Sequence, residues 1–350
     1  FPDEPYAGAD FPWLAANVIK KSNGRTFLPG TWVKEISGTK VGFIGMTLEG
    51  TDLLVSPGGI SSVTFKDEVE TANSAAKKLK KQGVKAIVVL MHEGGANGGT
   101  YNGCVGFYEP IATMATQFSP EIDHIVTGHT HNPYVCSIPD PAGNPRTVTS
   151  AADYGRVVTE TNLVINRRSG EVDRRRPTSM NHLVTRTAKD PVQTEVIAKW
   201  KALSGELGAQ VVGTHVEDII GHSDPRSNRA IETPMGNLVA DAILWGTSGD
   251  NGGAQIAFMN VGGVRASLPM APVAGEGVGN ITYAEAYAVA PFGNLLNTIT
   301  MTGAQIKAVL EQQYRVSGAG VASTLSINVS EGFTYTWTAG NAAGSKVSDM

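Results

Sequence analysis

Short apolar segments alternate with amphipathic segments through the first half of the chain. Residues 40–45, 84–91 and 122–127 are apolar and have the length of buried strands. Residues 65–81 and 109–118 instead space their apolar side chains at the three- and four-residue intervals of a helix buried on one face. Because strand–helix–strand alternation is typical of layered α/β structure, the first half is predicted to be a layered α/β domain.

The second half repeats the alternation and is predicted to form a second α/β (α+β) domain. Helical spacing covers 233–245, 283–288 and 302–314. Apolar runs at 255–259 and 295–301 are the predicted strands. A chain of 350 residues has room for two domains of ordinary size.

A polar, arginine-containing stretch over 166–177 is the predicted end of the first domain. Residues 190–207 follow as one helix, with Asp190 as N-cap and Pro191 in the first turn. This helix is interpreted as a link between the domains, and an ordinary surface helix of either domain is the alternative. The predicted division is a first domain over 1–180, a linker with a helix over 181–209, and a second domain over 210–350.

The composition excludes several classes of protein. Hydrophobic residues make up 41% of the chain and charged residues 17%, a globular composition without a signature of disorder. The net charge is −4 and no block is rich in lysine or arginine, which argues against a nucleic-acid polymer as partner and still allows a small anion. No apolar run approaches the roughly 20 residues of a membrane span.

The two cysteines, Cys104 and Cys136, lie in loop-like sequence near the histidine motifs described next. They are predicted to form a disulfide, which would place the chain in an oxidising compartment. Two buried free thiols are the alternative.

Histidines follow two of the predicted strands. His92 comes directly after an apolar strand and is followed by glycines, and His129 and His131 follow another strand through Gly128. Ligands of α/β sheets collect at the carboxyl ends of strands, and imidazole suits zinc, manganese or iron. In extended backbone His129 and His131 would project to the same side. The three histidines are therefore predicted metal ligands. For His92 considered by itself, the alternative is a core histidine whose ring nitrogens are hydrogen-bonded within the protein.

Three imidazoles are too few for a site with two metal ions, which needs about eight ligand positions and a bridging carboxylate. Asp123 lies at the start of a strand, the wrong end, and Asp153 is only weakly placed. Glu93 is interpreted as an exposed charge. The remaining histidines are isolated and are predicted not to bind metal: His124, His182, His215 and His222.

The second half contains groups suited to an anionic, aromatic ligand. A predicted strand ends at Asn260 and is followed by Gly262 and Arg265, a combination in which backbone and guanidinium can approach an oxyanion. Arg226 and Arg229 precede a predicted helix, and Phe292 lies on a turn where it can stack on a base. A glycine turn with a surface arginine, and a phenylalanine in the core, are the alternatives.

Several motifs, in this order, resemble the bacterial 5′-nucleotidase / UDP-sugar hydrolase family, whose members join a calcineurin-like metallophosphoesterase domain to a C-terminal substrate-recognition domain. The resemblance runs through essentially the whole chain. It rests on these segments: Trp13-Leu-Ala-Ala-Asn17, Val41-Gly-Phe-Ile-Gly-Met46, Met91-His-Glu-Gly94, Thr127-Gly-His-Thr-His131, Ser150-Ala-Ala-Asp-Tyr-Gly-Arg156, Glu232-Thr-Pro-Met-Gly-Asn-Leu238, Asn260-Val-Gly-Gly-Val-Arg265 and Pro291-Phe-Gly-Asn294.

The resemblance implies hydrolysis of nucleoside 5′-monophosphates by in-line attack at two divalent ions, zinc, manganese or similar. It implies that His92 and His129 bind one ion and His131 the other. It also implies a secreted or cell-envelope protein whose partner is an AMP-like nucleotide. The nucleotide-binding residues that it implies are Asn260, Gly262, Arg265, Arg229, Arg226, Phe292 and Asn294.

The departures from the family pattern bear on activity. The family's Asp-x-His, Gly-Asp and Gly-Asn-His-Glu motifs and its catalytic His–Asp pair would lie upstream of Phe1, and its second stacking aromatic would lie past Met350, after a strand predicted over 331–335. Both ends are therefore expected to be truncated, with one metal ion or none retained and poor activity. Hydrolysis of UDP-sugars or 2′,3′-cyclic nucleotides, or a catalytically inactive nucleotide-binding or scaffold protein, are the alternatives.

Overall fold

A computed structural model describes residues 8–55, 57–176, 178–273, 275–316 and 322–350. The chain divides into two compact units after Thr185. The first unit contains these strands and helices: β1 (Val18–Lys20), β2 (Thr31–Ile36), β3 (Thr39–Met46), α1 (Pro57–Ile60), β4 (Val63–Phe65), α2 (Glu68–Lys81), β5 (Ala86–Met91), α3 (Ile111–Gln117), β6 (His124–Thr127), β7 (Tyr134–Pro139), β8 (Pro145–Ser150), β9 (Val157–Asn162) and β10 (Thr178–Leu183).

A six-stranded mixed sheet organises the first unit. Its order is β2-β3-β5-β6-β8-β7, with β3, β5, β6 and β8 parallel and the two outer strands antiparallel to their neighbours. The four parallel strands therefore end at a common edge, here called the carboxyl edge. The predicted α/β fold class is confirmed.

Helices α2 and α3 cover one face of this sheet. Leu79 of α2 and Phe118, which follows α3, are fully buried against Ile44, Ile87 and Ile125 of the strands. Asp67 caps α2 by accepting a hydrogen bond from the Glu70 amide, and lysines crowd its last turn, where they favour the helix dipole. Helical periodicity and sheet burial thus agree for both predicted helices.

The polar stretch over 166–177 is not a domain boundary. It connects β9 to β10, which pair in antiparallel register, and the predicted boundary at 180 falls inside β10. Arg174 from this stretch is buried between two aspartates, with Nε 2.8 Å from Oδ1 of Asp123 and Nη1 2.6 Å from Oδ2 of Asp140. Composition suggests a linker there, but Arg174 forms its ion pairs within the first unit. That unit ends only after Thr185.

Among its described residues, the second unit contains four α-helices and several small sheets. Helix α4 begins as predicted, with Asp190 accepting a hydrogen bond from the Gln193 amide and Pro191 in the first turn. In the described ranges no helix has both the length and the apolar character needed to cross a membrane. The elements are α4 (Pro191–Gly208), β11 (Val211–Thr214), α5 (Pro234–Thr247), β12 (Phe258–Asn260), β13 (Asn280–Thr282), α6 (Tyr283–Val289), α7 (Gly303–Glu311), β14 (Tyr314–Val316), β15 (Ala322–Thr324), β16 (Ile327–Val329), β17 (Thr336–Trp337) and β18 (Val347–Ser348).

Two predicted strands of this unit are wrong. Residues 295–301 form no regular element, and Leu295 and Ile299 are 57% and 77% exposed. Residues 331–335 also lie outside strands, and β17 begins just after them. An apolar run becomes a strand only when a neighbouring strand satisfies its backbone groups, and among the described residues no strand pairs with either segment.

Candidate functional site

The loops after β5 and β6 meet at the carboxyl edge. The amide of His92 donates to the Met46 carbonyl at 3.0 Å, and the amide of Gly128 donates to the Glu93 carbonyl at 3.2 Å. A β-carbon at Gly94 would overlap the carbonyl oxygen of Gly128, so only glycine allows the two loops to pack this closely. The first residues of both histidine motifs are therefore held together by backbone contacts.

His92 and His129 face each other across this edge. Their ring centroids are 5.2 Å apart, with the planes inclined at 65°. Two imidazoles on one tetrahedral zinc ion, with Zn–N distances of about 2.1 Å, place their ring centres about 5 Å apart. The spacing of this pair therefore fits a single ion bound between the rings.

The backbone of the second motif differs from the prediction. His129 and His131 have φ values of 64° and 58°, in the left-handed region that side chains other than glycine rarely adopt. The extended conformation assumed for this pair is wrong, because the strand ends at Thr127 and the chain then turns. Such backbone conformations at non-glycine residues are concentrated at functional sites.

Asp153, which the sequence indicates only weakly, lies beside His131. Its Oδ2 lies 3.1 Å from Nδ1 of His131, and its other oxygen is ion-paired with Arg156. It follows β8, the parallel neighbour of β6, so it enters the same edge as the histidines. The signal that could have found it is the strand that ends at Ser150, three residues before the aspartate.

The local electrostatics keep His92 available as a ligand. Burial first, and then the neighbouring imidazole of His129, lowers the pKa of His92 below its ordinary range. A neutral imidazole is the form that binds metal. The carboxylate of Asp153 beside His131 is the kind of group that commonly orients a metal-binding imidazole.

The donor set fits one ion better than two. In the described ranges, the three histidines and Asp153 do not bring their donor atoms within 4.8 Å of one another as a group. Among the described residues that spacing is met by Glu49, Asp67 and Glu68, but Asp67 caps α2 and Glu68 accepts a hydrogen bond from the Glu49 amide. The chemistry of the donors therefore supports a partial metal site at His92 and His129.

In the second unit, β12 delivers Asn260 to a turn that contains Gly262 and leads to Arg265. Strand β12 pairs with β16, and the amide of Arg265 donates to the Val289 carbonyl at 2.8 Å. The guanidinium carbon of Arg265 lies 4.8 Å from the centre of the Phe292 ring. Phe292 is 51% exposed, so its alternative interpretation as a core residue is not supported.

The remaining predicted nucleotide-binding residues differ in their surroundings. Arg226 contacts two carboxylates, with Nη2 3.0 Å from Asp218 and Nε 2.9 Å from Asp224. Arg229 makes no ion pair within the part of the chain that the structure describes, and Asn294 is exposed two residues after Phe292. Arg265 and Phe292 are thus together, whereas the side chain of Arg226 is engaged elsewhere.

The two cysteines are joined by a disulfide, as predicted. Cys136 lies on β7 and is fully buried, and Cys104 lies in the loop that follows the His92 motif. The bond closes a loop with a sequence separation of 32, which restricts the unfolded chain and contributes about 4 kcal/mol of stability.

Comparison with known proteins shows similarity along most of the chain. Residues 211–350 match the 5′-nucleotidase C-terminal domain. Endonuclease YhcR of Bacillus subtilis is 29% identical over 98% of this chain, and cell wall protein Lmo0130 of Listeria monocytogenes is 30% identical over 89%. The chain spans 26% and 40% of the lengths of these relatives.

A solved structure with the same fold is the 5′-nucleotidase precursor from Thermus thermophilus. Its TM-score is 0.69 at 29% identity, and the match covers 97% of this chain and 64% of that one. Fold and sequence similarity thus agree over both units. The chain is similar to 5′-nucleotidases over both units, with a metallophosphoesterase-like N-terminal part and a match to the 5′-nucleotidase C-terminal domain over residues 211–350.

Proposed function

We propose that this chain belongs to an enzyme that hydrolyses nucleoside 5′-monophosphates to a nucleoside and phosphate with the help of divalent metal ions. The observation that carries the proposal is the facing pair of imidazoles, His92 and His129, at the carboxyl edge of the sheet, with His131 and Asp153 beside them. Similarity to 5′-nucleotidases supports the class of reaction, a phosphoester hydrolysis.

Each group at the edge is given a role. His92 and His129 would hold one ion. His131, oriented by Asp153, would contribute to a second ion, which needs donors besides these four residues. When bound, such ions polarise a phosphate and lower the pKa of a bound water. Burial keeps the His92 imidazole neutral, and backbone hydrogen bonds hold the two loops together.

The second unit would bind the nucleotide. Phe292 would stack on the base, and Arg265 and Arg229 would contact the phosphate as guanidinium groups do with oxyanions. Asn260, Gly262 and Asn294 would surround the ribose and base. Arg226 is proposed to order its loop through Asp218 and Asp224, since both carboxylates already occupy its guanidinium.

A metal titration of the 350-residue chain tests the first part. Zinc or manganese is expected to bind with about one equivalent, and H92A or H129A should abolish binding. H182A is the matched control, because His182 of the same unit is an exposed residue paired with Glu160. Binding that survives in both H92A and H129A would refute the metal assignment.

A substrate panel tests the second part, using the protein as its gene encodes it. Phosphate release from AMP is expected to exceed release from a UDP-sugar or a 2′,3′-cyclic nucleotide, and H129A should remove it. Single-stranded DNA belongs in the panel, because one relative is named an endonuclease. Nucleotide binding without any hydrolysis would instead favour the inactive scaffold.

We also propose that the chain works outside the cytosol. The Cys104–Cys136 disulfide persists in oxidising compartments, and one relative is named a cell wall protein. Thiol labelling of the natural protein should find both cysteines blocked, and labelling of both would contradict this location.

A further inference from the structure

The loop before α5 runs beside the segment that carries Arg265. Ile219 and Leu268 exchange hydrogen bonds, with each amide donating to the other's carbonyl. Two residues on, the amide of Gly221 donates to Oγ of Ser267 at 2.9 Å, and a β-carbon at Gly221 would lie 3.0 Å from the Ala266 carbonyl oxygen. His222 follows Gly221 and Arg265 precedes Ala266, so both residues adjoin this close backbone contact, and the charge of Arg265 acts on the His222 ring.

Three buried polar atoms in this region have no hydrogen-bond partner among the described residues. They are Nδ1 of His222, Nε of Arg265 and Oγ of Ser227. Buried polar atoms in folded proteins are almost always paired, because a buried group that has lost its water and gained no partner destabilises the fold. Three such atoms around one loop indicate a polar ligand that satisfies them.

The charges indicate the sign of that ligand. Burial, and then the cations of Arg229 and Arg265, lower the pKa of His222, so its ring is neutral beside two guanidinium groups. The nearby carboxylate of Asp224 is engaged by Arg226. Two cations and a neutral imidazole donor suit an anion with several acceptor oxygens, such as a phosphate.

We propose that His222 is a phosphate-binding residue that completes, with Arg229 and Arg265, the anion pocket of the second unit. The assignment of the phosphate to a nucleotide rests on the proposed function, whereas the contact with phosphate itself does not. His222 was predicted only not to bind metal, and the isolated histidine carried no signal for this role, because Arg265 approaches it only in the folded chain.

Calorimetric titrations of the 350-residue chain with AMP, adenosine and inorganic phosphate test the proposal. H222A should bind AMP and phosphate about tenfold more weakly, the effect of one lost charge-assisted hydrogen bond, and should bind adenosine unchanged. H222N, which keeps a side-chain donor, should recover part of the affinity. H215A is the matched control, since His215 is an exposed residue of the same unit whose Nδ1 contacts the Glu217 carbonyl at 2.7 Å.

The outcomes separate the two proposals. Equal weakening of AMP and adenosine by H222A would show a purely structural role and overturn the assignment, as would unchanged binding of all three ligands. If the wild-type chain binds neither AMP nor adenosine, the proposed function fails at this site. The titration with inorganic phosphate then decides the assignment of His222 by itself. Loss of phosphate binding in H222A upholds the assignment, and undetectable or unchanged phosphate binding overturns it. Should H222A unfold, H222L replaces it with the same criteria, because leucine fills more of the space of the imidazole and has no hydrogen-bond donor.

Discussion

The two units build their candidate sites from different structural materials. In the first, His92 and His129 leave the ends of adjacent parallel strands, so the strand ladder brings them together. In the second, His222, Arg265 and Phe292 come from three loops separated along the chain. Short sequence patterns therefore indicate which residues meet at a sheet edge. The residues of a loop cluster come together only when the chain packs.

The two units also differ in how they treat a similar charge arrangement. Arg174 in the first unit and Arg226 in the second each lie between two aspartates. The side chain of Arg174 is 11% exposed and that of Arg226 is 58% exposed. The ion pairs of Arg174 are thus largely shielded from water, whereas the comparable ion pairs of Arg226 are exposed to it.

The largest expected effect tests this contrast in stability. R174A should lower the free energy of unfolding by about 4 kcal/mol, because Asp123 and Asp140 would remain buried without their cation. R226A should leave the unfolding midpoint unchanged, since exposed ion pairs contribute little. Urea unfolding followed by circular dichroism measures both. Equal effects of the two substitutions would remove the contrast.

The next effect concerns the pH dependence of the first unit. Burial lowers the pKa of His124 to about 4 from its ordinary value near 6.5. Between these two pH values, His124 binds a proton in the unfolded chain and stays neutral in the folded chain. His124 should destabilise the fold progressively as the pH falls from about 6.5 to 4, by about 3 kcal/mol in total.

The comparison of wild type with H124Q isolates this contribution. H124Q should lose less stability than the wild type between pH 7 and pH 4, as measured by urea unfolding at each pH. H182Q, at an exposed histidine, should follow the wild type. The comparison with H124Q is needed because burial also raises the pKa of Asp123 to about 6. That shift stabilises the fold as the pH falls, which is opposite to the effect of His124. Parallel wild-type and H124Q curves would contradict the prediction.

A third prediction sharpens the account of the sheet-edge site. In the protein as its gene encodes it, D153N should weaken binding of the second zinc ion, the one assigned to His131, by about 10–100-fold, the usual effect of losing a carboxylate that orients a metal-binding imidazole. Calorimetric titration with zinc measures the change. D173N is the control, since Asp173 is an aspartate of the same unit whose nearest cation is 4.0 Å away in Arg176. If D153N and D173N bind zinc alike, Asp153 has no part in the site.

The smallest expected effect lies in the loop cluster. F292A should weaken adenosine binding by about tenfold, or about 1.4 kcal/mol, through loss of stacking. Y287A removes another exposed aromatic of the same unit and should have no effect. Fluorescence or calorimetric titration with adenosine is sufficient. Matching losses in both variants would assign Phe292 a structural role only.

Much of the first unit follows from local pattern. The helices α2 and α3 and the strands β3, β5 and β6 were predicted within a few residues, because their apolar spacing already matches the surfaces they bury. The disulfide was predicted as well. The units divide after Thr185, past the predicted boundary at 180, and the polar stretch before it is internal because ion pairs such as that of Arg174 with Asp140 satisfy its charges.

The candidate site residues divide in the same way. His92 and His129 are recognisable because each follows an apolar strand closely, and parallel strands end at one edge. The left-handed backbone of His129 and His131 is not encoded in residue type, because glycine is the usual marker of that conformation. Asp153 and His222 were not assigned because the role proposed for each depends on a partner distant in sequence.

Residue order alone was enough to establish the alternation of strands and helices, the fold class, the pairing of the cysteines and the motifs that resemble the family. Those features depend on side-chain periodicity and spacing, which are local properties. Which polar atoms are buried, which charges are paired and which imidazoles face each other became known only from the folded chain. Burial and pairing depend on distances between residues far apart in the chain, and folding alone sets those distances.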